Sequence, residues 1–224
     1  MNQNTNFIIS IGSVSEHSLY MQKIYKQKYL DFQIKNILNS YKRSKIIVVG
    51  SWEYLDSIIS SRVKYLNYNS NQTSNIGTAI KKAIQMVNSS SLAIMNVEMF
   101  FDTEILGKTK IKNNSIIVNN NSNFKSKIGC TINNDRVKFV FYDLENKACE
   151  FIYINQKSFD KCKNIVQNYV SNNMYLFEII NTLIEHDIEI KPYKINKNIC
   201  HLYEIKDLSK IRNCIKRTRL NVPL

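Results

Sequence analysis

Residues 92–102 read LAIMNVEMFFD, and the rest of the architecture is arranged about them. Four apolar residues, Leu92, Ala93, Ile94 and Met95, stop abruptly at polar Asn96, and an acid, Glu98, follows before Met99, Phe100 and Phe101. An apolar run of this length with polar bounds predicts a strand buried on both faces. A carboxylate just past the carboxyl end of such a strand stands where open α/β sheets bind ligands. The plainer alternative for Glu98 is a surface acid at a strand-to-loop junction.

The segments before this stretch alternate in type. FIISI at 7–11 predicts a first buried strand, closed by Gly12 and Ser13. A glycine there lets backbone amides approach a phosphate, although a plain turn has the same signature. YLDFQIKNIL at 29–38 carries Leu30, Ile34, Ile37 and Leu38 at helical spacing. KIIVVGS at 45–51 predicts a second buried strand, 52–60 a short helix, and VKYLNY at 63–68 a strand nearer an edge. A helix is predicted over 75–87, with Ile76, Ala79, Ile80, Ala83, Ile84 and Val87 on one stripe and Ser74 or Asn75 as its cap. Strand and helix in alternation predict a parallel sheet covered by helices on both faces.

Beyond residue 106 the pattern changes. Strands are predicted at 114–118, 128–132, 137–142 and 149–154, with Asn133, Asn134 and Asp135 as a hairpin turn and 119–123 (NNNSN) as an exposed loop. Helices follow at 159–170 and 174–186, then a strand pair, 188–195 with 200–205, and a last helix from about Asp207. The expected architecture is α/β: a mixed, mainly parallel sheet flanked by helices with an antiparallel insertion. No Pro/Gly/Ser-rich linker divides it, so one domain is expected over 1–224. Within it, 1–106 would form an αβ half, 107–205 an antiparallel half and 206–224 a basic helix or tail.

Composition narrows the class. No apolar run nears the roughly 18 residues of a membrane span, and the N-terminus has no basic, long-apolar leader, so a cytoplasmic protein is expected. Five dispersed cysteines without CxxC spacing argue for free thiols and against zinc or a disulfide framework. The net charge of +13 raises nucleic acid as a partner. The excess is mainly lysine in an Asn- and Ile-rich chain, as an AT-biased genome of a virus or reduced bacterium would produce. No RNP-like, helix-turn-helix or zinc-finger string supports nucleic-acid binding. His17, His186 and His201 lie far apart and without ligand-spaced partners, and there is neither a P-loop nor a GxSxG elbow.

Several strings, taken together and in order, resemble the nucleotidyltransferase branch of the GT-A fold, the sugar-phosphate and phosphocholine nucleotidyltransferases. LDFQI at 30–34 resembles that family's first helix, and NIGTA at 75–79 its helix opening. MNVEMF at 95–100 resembles its metal-binding strand end, LFEIINTLI at 176–184 its late helix, and YEIKDL at 203–208 its closing motif. The resemblance implies transfer of a nucleotidyl group from an NTP to a phosphorylated acceptor, with Mg²⁺ as cofactor. It places Glu98, with Glu204 and Asp207, at the metal, Gly12, Ser13, Asn75 and Gly77 at the nucleotide, and Lys23 or Lys28 at the phosphates.

The departures from the family pattern are specific. GSVSEH at 12–17 has one glycine, no arginine and an acid where phosphates should lie. The family's loop lysine falls near Leu19, Gly is replaced by Val97 before the acid, and the second metal-binding aspartate falls at Lys206. Phosphoryl chemistry relies on positioning and charge neutralisation, so these losses open a second reading, a GT-A-like domain that binds or scaffolds without catalysis.

Overall fold

The structure is a computed structural model that describes residues 4–11, 20, 22–24, 27–50, 61–67, 76–88, 90–100, 111–119, 126–195, 199–202 and 206–220, with backbone alone at 200 and 214–220. In chain order the strands are β1 (Asn6–Ser10), β2 (Lys23–Ile24), β3 (Gln27–Lys28), β4 (Ile46–Gly50), β5 (Val63–Asn67), β6 (Leu92–Asn96), β7 (Met99–Phe100), β8 (Ser115–Asn119), β9 (Ile128–Asn133), β10 (Arg136–Tyr142), β11 (Asn146–Ile154), β12 (Lys191–Ile195) and β13 (Cys200–His201). The α-helices are α1 (Tyr29–Ser40), α2 (Ile76–Gln85), α3 (Phe159–Tyr169), α4 (Leu176–Glu185) and α5 (Asp207–Leu220).

Among the described residues, nine strands form one mixed sheet. Strands β5, β4, β1 and β6 lie side by side and parallel, β11 joins β6 antiparallel, and β8 and β12 continue beyond β11. The β9–β10 ribbon attaches to the first residues of β11. The apolar run at 92–95 is the strand β6, completely buried between β1 and β11, as a run with no polar alternation requires.

Side-chain alternation sorts this sheet into two cores. Phe7, Ile9, Ala93, Met95 and Phe151 pack on one face with Leu30, Ile34 and Ile37 of α1. Ile8, Ile94 and Ile152 pack on the other with Ile80 and Ala83 of α2, Cys162 of α3 and Ile179 of α4. The helical stripe read from the sequence at 76–87 is the buried face of α2.

The chain's punctuation follows ordinary turn chemistry. Asn134 and Asp135, with φ of 50° and 55°, close the β9–β10 hairpin as a two-residue loop, the conformation that primed turns demand. Helix α4 ends in a Schellman arrangement: Asp187 is left-handed (φ 59°), Ile188 N–H donates to Leu183 O at 2.9 Å, and Asp187 N–H donates to Ile184 O at 3.1 Å.

Two expectations are corrected. Among the described residues, the segments 188–195 and 200–202 do not pair with each other. The first contributes β12, parallel to β8 (Lys191 opposite Ser115), while Cys200 and His201 pair with Phe100 and Met99 of β7. One side of β8 is occupied by β11, and β12 satisfies the other, which a local hairpin would leave open. Asn119 is not loop: it ends β8 opposite Ile195 and is buried. The helix expected at 52–60 and the caps at Ser74 and Asn75 lie outside the described residues.

Candidate active site

Parallel pairing brings the carboxyl ends of β1, β4 and β6 to one edge of the sheet, with Ser10, Gly50 and Asn96 as the last residues. The strand order reverses at β1, where β4 leaves to one side and β6 to the other, and ligands of open α/β sheets sit at such a switch point. A buried polar link crosses it. The Ser10 hydroxyl donates to Asn96 Oδ1 at 3.0 Å, and Asn96 Nδ2 donates to Glu150 Oε2 at 3.1 Å. Glu150 comes from β11, facing Asn96 because Phe151 stands opposite Met95.

Glu98 occupies the turn between β6 and β7 and is held from three directions. Tyr20 donates its hydroxyl to Glu98 Oε1 at 3.3 Å. The Tyr29 hydroxyl donates to the Glu98 carbonyl at 3.4 Å, and Leu202 N–H donates to the same carbonyl at 2.8 Å. The side-chain amide of Gln33 in α1 donates to the next carbonyl, Met99 O, and is itself buried. Glu98 is therefore only half-exposed and stands on a fixed turn, unlike a plain surface acid.

The segment 199–202 lies against this turn, and α5 follows it with Leu208 and Ile211 in the same core as Tyr20, Tyr29 and Phe100. Residues about a hundred positions apart are thereby brought together at one edge of the sheet. Asp207 opens α5, where an acid suits the helix dipole, and its carboxylate takes Lys210 at 2.7 Å. Glu204, Gly12, Ser13 and Asn75 lie outside the described residues.

Lys23 and Lys28 face each other across the β2–β3 pair, Lys23 exposed and Lys28 half-buried at the start of α1. The Arg212 guanidinium donates to the Lys23 carbonyl at 3.2 Å and ties α5 to this hairpin. Gly77 lies buried in the first turn of α2. A Cβ there would meet the Ser171 carbonyl oxygen at 2.1 Å, so the close approach of the α3–α4 connection accounts for the glycine.

His201 is buried beside Met99. Burial holds its pKa down at about 4, partly offset by the Asp207 carboxylate. The depressed folded value makes the unfolded chain bind the extra proton. Stability is therefore expected to fall as pH drops below the ordinary histidine value of about 6.5, down to about 4, by up to about 3 kcal/mol. Urea unfolding at pH 7 and pH 5 checks this, and in His201→Asn the difference shrinks.

Tyr20, Tyr29 and Glu150 are absent from the sequence-derived site. Both tyrosines carried only the signature of core aromatics, and Glu150 sat in the strand pattern CEFIYI with nothing local to mark it. As for a metal, no three of His, Cys, Asp or Glu converge among the described residues. Glu98 offers one carboxylate, which is compatible with Mg²⁺, since that ion takes one or two carboxylates and completes its shell from phosphates and water.

No family model matches the chain, and no curated protein matches it by sequence. Solved structures do. The inositol-1-phosphate CTP transferase from T. maritima superposes with a TM-score of 0.73 at 10% identity, over 100% of this chain and 99% of that one. The CTP:phosphocholine cytidylyltransferase from Streptococcus pneumoniae gives 0.69 at 10% identity, covering 94% and 99%. HddC from Yersinia pseudotuberculosis, complexed with GMP-PN, gives 0.68 at 14%, covering 95% and 99%. The chain has the fold that these structures share, a mixed α/β sheet with an antiparallel insertion. No helix among the described residues is long and apolar enough to cross a membrane.

Proposed function

We propose that the chain binds a nucleoside triphosphate at the carboxyl edge of β1 and β6 and transfers its nucleotidyl group to a phosphorylated small acceptor such as a sugar phosphate. The observation that carries this reading is Glu98. It matches the family's metal-binding acid in the string MNVEMF, and it stands on a turn fixed by Tyr20, Tyr29 and Leu202 at the sheet's switch point. In this reading Glu98 holds Mg²⁺, with Glu204 or Asp207 as a second oxygen donor. Gly12, Ser13, Asn75 and Gly77 meet the nucleotide, and Lys23 or Lys28 neutralises the phosphates. The metal, when bound, would neutralise charge on the phosphate oxygens while the chain orients donor and acceptor.

One observation favours a second reading, a GT-A-like domain that binds a ligand without turnover. Lys206 stands where the family carries its second metal-binding acid, and the neighbouring Asp207 carboxylate is engaged by Lys210. Pyrophosphate release separates the two. Each of the four NTPs is incubated with Mg²⁺ and a panel of sugar 1-phosphates and phosphocholine. Release with one NTP–acceptor pair, dependent on both, supports transfer. NTP binding without release under every combination supports the binding-only reading.

A further inference from the structure

A band of aromatic rings lies on the β9–β10 ribbon and the start of α4, and no part of the proposed nucleotide site uses it. Phe139 and Phe141 stack at 5.9 Å between centroids, and Phe141 meets Tyr142 at 5.4 Å. Both Phe141 and Tyr142 contact Phe177 edge-on, at 5.8 and 5.1 Å, and Phe177 stacks on Tyr175 at 5.9 Å. Phe177 is buried, but Phe139, Phe141, Tyr142 and Tyr175 remain 44%, 46%, 43% and 52% exposed. They are four of the six large apolar side chains exposed to this degree among the described residues, and they are contiguous. Contiguous exposed apolar surface on a soluble domain marks a contact site, whereas isolated exposed rings need no explanation.

Charge identifies the partner. The whole chain carries +13, yet residues 126–150 hold four basic residues (Lys127, Arg136, Lys138, Lys147) and four acidic ones (Asp135, Asp143, Glu145, Glu150). Two copies of a strongly basic chain repel each other least where the local charge cancels. Both ends of β10 are mixed in charge: Arg136 pairs with Glu189 at 3.0 Å beside Asp135, and Lys147 pairs with Asp143 at 3.9 Å. An isologous contact sets this same mixed patch against itself, so no block of like charge is opposed.

The mode of contact is constrained too. β10 is the outermost strand of its ribbon, but its edge is closed by the chain itself. Val140 N–H donates to Asn181 Oδ1 and Asn181 Nδ2 donates to Val140 O, both at 2.9 Å, while Val137 N–H donates to Ile190 O at 2.8 Å. Strand addition is blocked there, so a partner must meet the side chains. Four rings of roughly 200 Å² each, about half exposed, give about 400 Å² per copy. With the flanking polar residues a pair reaches about 1,000 Å², the lower bound for a specific interface.

We propose that this aromatic band is a homodimer contact, in which the β9–β10 ribbons of two copies meet face to face about a two-fold axis. Sedimentation velocity on the nuclease-treated 224-residue chain tests it. At about 100 µM, well above the range of weak micromolar interfaces, the expected mass is twice 26.2 kDa. An apolar contact keeps that mass in molar salt. Phe139→Glu, at a 44% exposed position, sediments as a monomer with the wild-type circular dichroism spectrum, and Phe139→Leu stays dimeric. A wild-type monomer at that concentration overturns the proposal, including the case in which the monomer instead binds single-stranded nucleic acid by stacking. A Phe139→Glu variant that remains dimeric overturns it as well.

Discussion

Glu98→Gln is expected to lower nucleotidyl transfer by about 10²–10³-fold while leaving the fold intact, the usual cost of one electrostatic group in chemistry of this kind. Glutamine keeps the oxygen that accepts the Tyr20 hydroxyl and leaves the backbone carbonyl that receives Tyr29 and Leu202, so the turn stays in place. What is lost is the negative charge that a cation needs. Unfolding in urea should change by less than about 1 kcal/mol, as for a substitution that removes no core volume and no cap. The readout is pyrophosphate release with the best NTP–acceptor pair, measured across a Mg²⁺ series, where the variant should need more metal. Equal rates for both proteins at every metal concentration would remove Glu98 from the chemistry.

Gly77→Ala is expected to destabilise the chain by about 2 kcal/mol, the cost of overpacking less the gain in helix propensity. The added methyl would lie 2.1 Å from the Ser171 carbonyl oxygen and 3.1 Å from that of Asn172, both backbone atoms of the α3–α4 connection. Neither can rotate aside as a side chain would, so the connection or the first turn of α2 must shift. For a chain of this size the loss corresponds to a melting point lower by about 4–8 °C. The urea midpoint gives the result directly, and an unchanged or raised midpoint would show that the helix gain outweighs the crowding. The sequence suggested a nucleotide contact for this glycine, and the structure supplies a packing reason that does not depend on a ligand.

Those two residues mark what could be read from the sequence and what could not. The buried strand at 92–95, the stripe of α2 and the primed turn at Asn134 and Asp135 are local patterns, written in neighbouring residues by burial and by backbone conformation. The resemblance at Glu98 was local as well. By contrast, the contacts that fix Glu98 come from Tyr20, Tyr29 and Leu202, and Glu150 reaches Asn96 only because β11 returns antiparallel beside β6. Such meetings depend on register between distant strands, which no short window encodes. The same non-local competition took 191–195 to β8 and away from the expected hairpin, because the open edge of β8 offered a full ladder. The close approach behind Gly77 was hidden for the same reason, since its neighbour lies almost a hundred residues away.

Calorimetric titration of the wild-type chain with each Mg²⁺–NTP, repeated with Glu98→Ala, probes the nucleotide site without requiring knowledge of the acceptor. Saturable binding of at least one NTP, weakened in the variant when Mg²⁺ is present, is the predicted result. No heat with any of the four nucleotides up to about millimolar concentration, where even a 4 kcal/mol interaction registers, would contradict a nucleotide site at the carboxyl edge of β1 and β6.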